Sequence, residues 1–69
     1  MPNLFKPKKF VRLNLVGVDG NAFVILGAFS HAARSQGWSD EDIGKVNKEA
    51  MSSDYRHLLH TIQSHCKLK

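Results

Sequence analysis

Only one stretch of this chain alternates. In FVRLNLV, residues 10 to 16, Val11, Leu13 and Leu15 fall on one side while Arg12 and Asn14 fall on the other, the period of a half-buried β-strand. The long segments after it follow helical spacing instead. A strand carries N–H and C=O groups along both edges, and a solitary strand is not a stable sheet. Residues 10 to 16 therefore need a partner, and three are open. The N-terminal arm can turn back at KPKK so that Leu4 to Lys6 pair with the strand, a second copy can contribute its own strand, or a target peptide can. A homodimer through strand 10–16 is the favoured expectation, because exchanged edges also add core area; the arm hairpin comes second.

That area matters because a chain of 69 residues makes at most one domain, whose folding removes only about 60% of the unfolded surface from water. Chains this small close the deficit with disulfides, a metal or self-association. Cys66 is the single cysteine, which excludes an internal disulfide framework, and an unpaired thiol fits a reducing compartment, the cytoplasm. Lys6, Lys8, Lys9 and Arg12 ahead of an apolar stretch have the order of a secretion signal. Asn14, Asp19 and Asn21 interrupt that stretch, however, and no run approaches the roughly 18 apolar residues of a membrane span. No membrane association is expected.

MPNLFKPKK reads as a flexible basic arm over residues 1–9, ahead of a single small α+β domain over 10–69. GVDGN (17–21) supplies glycines that accept positive φ, with Asp and Asn suited to turns and caps. Asn21 then caps a helix that runs to a stop at Gly37. At about 100° per residue, Ala22, Ile25, Leu26, Phe29, Ala32 and Ala33 share one side of it and Ser30, His31 and Arg34 the other, with Phe23 and Val24 off the main stripe. Ser39 with Asp42 forms a variant capping box, and Trp38 with Ile43 a hydrophobic staple, at the start of a second helix with Ile43, Val46, Ala50 and Met51 as its seam. SSD (52–54) caps a third, on which Tyr55, Leu58, Leu59, Ile62 and Cys66 share a face; Lys67 and Lys69 suit its C-terminal end. The expected fold is β-α-α-α.

Gly17 and Gly20 form a GxxG after a strand and before a helix, with the order of a phosphate-binding loop. Asp19 between them repels phosphate, the KH-type loop joins two helices rather than following a strand, and neither the dinucleotide spacing nor a P-loop Lys-Ser/Thr is present. A tight corner is the expected role. His57 and His60 stand one helical turn apart, but Leu58, Leu59 and Ile62 occupy the opposite face, so one helix does not converge them with His65 and Cys66 on a metal. Adjacent pairs such as His65–Cys66 and Ser30–His31 point about 100° apart and make no nucleophile–base dyad. No catalytic residue, cofactor or metal ligand is expected.

Phe23, Ser30, His31 and Arg34 descend one face of the first helix and form the expected partner-binding stripe. The net charge of +4 admits an acidic partner as well, through Lys8, Lys9, Arg12 and Arg34.

With VDGNAF, GAF, GW, DEDI, KEAMSSDY and HLL on the page, the chain resembles, over residues 11 to 66, a family of small bacterial proteins to which no activity is assigned. The resemblance implies a bacterial intracellular protein and carries over no site. The expected function is thus that of a small non-enzymatic protein-binding or regulatory module, the alternative being a nucleic-acid-associated accessory protein using the basic arm.

Overall fold

Three helices begin where their cap residues stand. In a computed structural model that describes residues 3–67, strand β1 (Val11–Arg12) is followed by helices α1 (Ala22–Ser35), α2 (Asp40–Ala50) and α3 (Tyr55–Ser64) and by strand β2 (Cys66–Lys67). The Asn21 side chain accepts from the Phe23 N–H, Ser39 from Asp42 and Asp54 from His57, each satisfying a donor that the first helical turn leaves open. Gly37, at φ +93°, ends the first helical segment, and the Trp38 N–H returns to the Ala33 carbonyl at 3.0 Å. This places the Trp38 ring edge-on to Phe29, with centroids 5.6 Å apart.

The core lies between the three helices and β1. Val11, Phe29, Ala33, Val46, Ala50 and Ile62 are fully buried in it. A polar tie joins α1 to α2: the Ser30 hydroxyl donates to the Leu26 carbonyl and accepts from the Asn47 side-chain amide, both at 2.8 Å.

The fold is small α+β, with one difference in the sheet. The partner expected from a second copy or from the arm is the chain's own C-terminal segment. β2 lies parallel to β1, Val11 opposite Cys66 and Arg12 opposite Lys67. The Val11 N–H donates to the His65 carbonyl at 2.8 Å and the Leu13 N–H to the Lys67 carbonyl at 2.9 Å. The other edge of β1 is taken by a side chain: Gln36 accepts from the Arg12 N–H at 2.8 Å and donates to the Arg12 carbonyl at 2.9 Å. The strand is accordingly two residues long rather than the seven of segment 10–16, and both of its edges are filled within one chain. The third helix stops at Ser64, so Cys66 belongs to the sheet and not to a helical seam.

The arm also differs from expectation. The Asn3 side-chain amide donates to the carbonyls of Lys9 and Ser64, and its oxygen accepts from the Phe5 N–H at 3.0 Å. The Phe5 ring sits edge-on to both Trp38 and His65. Residues 3–9 are thereby strapped across the core. Met1, Pro2, Leu68 and Lys69 lie outside the described residues.

Candidate functional site

The GxxG segment is a tight corner held by local hydrogen bonds. The Val18 N–H closes a turn onto the Leu15 carbonyl at 3.1 Å, with Gly17 at φ +85° in its third position, the place where such a turn requires positive φ. The Asp19 carboxylate accepts from the Asn21 N–H at 2.8 Å, and the Asn21 side chain from Phe23. The Tyr55 hydroxyl closes the far side on the Gly20 carbonyl. The Val18, Asn21 and Phe23 N–H groups are therefore committed to the turn and the helix cap rather than open to a phosphate.

The corner's consequence lies one step on. It delivers Phe23 to the first turn of α1 beside Tyr55 on α3, and Phe23 is 79% exposed. Met51 joins them. It was expected in the buried seam of α2, but it is the residue at which that helix ends, and it is 56% exposed. Together with Leu26, Ala50 and Leu58, these side chains line an open groove of about 260 Å³. Its floor is the core itself, since Leu26, Ala50 and Leu58 are buried. Asp54 is the charged side chain in the lining, and its carboxylate already accepts from the His57 N–H at 2.9 Å.

The partner-binding stripe expected on α1 therefore divides. Phe23 belongs to the groove. Ser30 is half-buried and committed to the tie with Asn47. Arg34 leaves the stripe to pair with Asp40 at 3.2 Å, and His31 is exposed. Met51 and Tyr55, which complete the groove, were missed because helical spacing assigned both to buried faces.

The basic residues divide as well. The Lys9 ammonium lies over the Trp38 ring at 4.6 Å and pairs with Asp42 at 2.5 Å. That hydrogen bond holds the Asp42 carboxyl below its ordinary range. Lys8 and the Arg12 side chain stay exposed, but with Lys9 and Arg34 neutralised the four do not form one open cationic surface.

One cluster has the composition of a hydrolase triad and not its geometry. Nε2 of His57 meets the Glu49 carboxylate at 2.8 Å and the Ser52 hydroxyl at 3.4 Å. Both contacts fall on the same nitrogen, so the ring cannot pass a proton from the hydroxyl while being oriented by the acid through its other nitrogen. The same nitrogen lies 3.1 Å from the Glu49 carbonyl, and the cluster finishes the C-terminal end of α2. Among the described residues, no three His, Cys, Asp or Glu side chains are placed to share a metal. Burial pushes the Cys66 thiol up to about 11, which suppresses the nucleophilic thiolate. No helix among the described residues is long and apolar enough to cross a membrane.

Comparison with protein-family models, with curated proteins and with solved structures finds no match to this chain.

Proposed function

We propose that this protein is a small non-enzymatic module that binds another protein through the Phe23, Met51 and Tyr55 groove. The observation that carries the reading is the exposure of Phe23, an aromatic side chain standing off a fully capped helix above a buried apolar floor. Large exposed aromatics beside an apolar depression are the usual anchors of protein contacts. A cytoplasmic setting belongs to the same reading and rests on the single unpaired cysteine. Pairing of β1 with a second copy is not part of it, since both edges of that strand are occupied.

The test is a selection of peptides from a displayed random library on the full-length protein, followed by affinity measurement at low and high salt. Selected peptides are expected to lose about tenfold or more in affinity for Phe23→Ser and to be nearly indifferent to salt. Undiminished binding by Phe23→Ser overturns the groove. Separately, steeply salt-dependent binding of a nucleic-acid probe that disappears with Lys8→Ala and Arg12→Ala favours the accessory-protein alternative.

A further inference from the structure

His65 is the polar side chain most completely enclosed by the fold together with Thr61, at 0% exposure. Its two ring nitrogens have assigned tasks. Nδ1 lies 2.7 Å from the Thr61 carbonyl, which only accepts, so Nδ1 carries the hydrogen. Nε2 lies 3.0 Å from the Leu4 N–H, which only donates, so Nε2 accepts. The ring is therefore neutral, and its acceptor lone pair holds the backbone of the N-terminal strap. The other ties of the strap are close by: Asn3 to the Ser64 carbonyl at 3.1 Å, Phe5 against the His65 ring at 5.8 Å between centroids, and Lys9 on Asp42 and Trp38.

We infer that His65 is a proton-operated latch: protonating its Nε2 releases the Asn3–Phe5 end of the strap while the Lys9 end stays anchored, uncovering the edge of Trp38. A proton on Nε2 turns the acceptor into a donor pointing at the Leu4 N–H, which leaves two buried donors face to face and a charge without a partner. The ring's hydrogen-bond and aromatic partners are Leu4, Thr61 and Phe5, none of them ionisable. The ionisable groups on the elements packed around it are Lys6, Lys8 and Lys9 on the strap, Arg12 on β1, Cys66 and Lys67 on β2, Tyr55, Arg56, His57 and His60 on α3, and Asp40, Glu41, Asp42, Lys45, Lys48 and Glu49 on α2, which packs against α3. The four carboxylates, all on α2, are already paired with Arg34, Lys45, Lys9 and His57 in turn, so an imidazolium here meets no uncommitted counter-ion on these elements. The Lys9 end is tied separately: the Asp42 carboxyl, held below the ordinary carboxylate range by its hydrogen bond from Lys9, keeps that ion pair into acid.

The experiment follows the full-length protein by NMR as pH is lowered, reading the His65 ring proton, the amides of Leu4 and Phe5, and the Val11 and Ile62 amides as reporters of the fold, with Trp38 fluorescence alongside. The expected result is that the Leu4 amide loses about tenfold of its exchange protection and Trp38 emission shifts, both tracking the His65 ring proton, while Val11 and Ile62 stay protected. In His65→Gln, whose amide offers a donor and an acceptor without titrating, that response disappears. A chain with His31, His57 and His60 each replaced by Gln retains it, which keeps the test decisive if His65→Gln does not fold. A Leu4 amide that is unchanged while the His65 ring takes up its proton overturns the latch. So does loss of Val11 and Ile62 protection at the same pH, since the strap then has no transition of its own.

Discussion

Gln36 acts on Arg12 as a third strand would. Its side-chain amide accepts from the Arg12 N–H at 2.8 Å and donates to the Arg12 carbonyl at 2.9 Å, so the edge of β1 not paired with β2 presents no open ladder to another chain. A side-chain amide carries the same donor and acceptor as a peptide group, and one residue placed just past α1 suffices to close a two-residue edge.

Gln36→Ala opens that edge. Water replaces the lost bonds at this exposed position, so the expected cost is about 1 kcal/mol, a fall in melting temperature of roughly 4–8 °C for a domain of this size. The variant is also expected to associate with rising concentration where the wild type does not. Thermal unfolding and sedimentation check the two effects separately.

The two glycines of the corner are not equivalent. Gly17→Ala forces a Cβ into φ +85° and is expected to cost about 1–2 kcal/mol. Gly20 has no positive φ, and an added Cβ meets the Tyr55 hydroxyl at an ordinary 3.6 Å, so Gly20→Ala is expected to leave the denaturation midpoint nearly unchanged. Equal effects of the two substitutions in urea titrations contradict this assignment.

Phe23 and Phe29, six residues apart on α1 and on different sides of it, separate binding from folding. Phe29 is fully buried and packed on Trp38; Phe29→Ala is expected to cost about 3–5 kcal/mol, enough to populate the unfolded chain. Phe23→Ser, at 79% exposure, is expected to change stability by less than about 0.5 kcal/mol. Circular dichroism across a denaturant series distinguishes the pair.

Cys66 is expected to react slowly with a disulfide reagent. Burial raises its thiol to about 11, so below that value the thiolate fraction, and with it the labelling rate, rises about tenfold per pH unit. A rate that levels off near neutral pH contradicts this. Denaturant is expected to bring the rate to that of an ordinary thiol.

The Lys9–Asp42 pair contributes over a defined range of pH. Because the folded state depresses the Asp42 carboxyl, the contribution is complete above the ordinary carboxylate range and is lost as pH falls through the depressed value. Asp42→Asn is expected to be the less stable chain near neutrality and to converge with the wild type in strong acid, as thermal midpoints measured at both extremes show.

What the sequence determined by itself is what depends on neighbours along the chain. Asn21, Ser39 and Asp54 cap helices whose open N–H groups lie two or three residues on, and Gly37 and Gly17 mark positions of positive φ set by local sterics. The tight corner at Gly17–Gly20 was legible for the same reason, and so was Phe23 as a residue off the buried stripe, whereas the strand expected over 10–16 is confined to Val11–Arg12. The tertiary structure decided what depends on distant partners. HCK is too short to show any period, yet its backbone completes β1, because parallel pairing requires a crossover and the three helices provide it. Met51 and Tyr55 follow helical spacing onto buried faces, but each stands at a helix end where the stripe no longer meets a neighbouring helix, and that is why they line a groove. The strap and its hold on His65 join residues 61 positions apart; only the packing that brings the two ends of the chain together creates that contact.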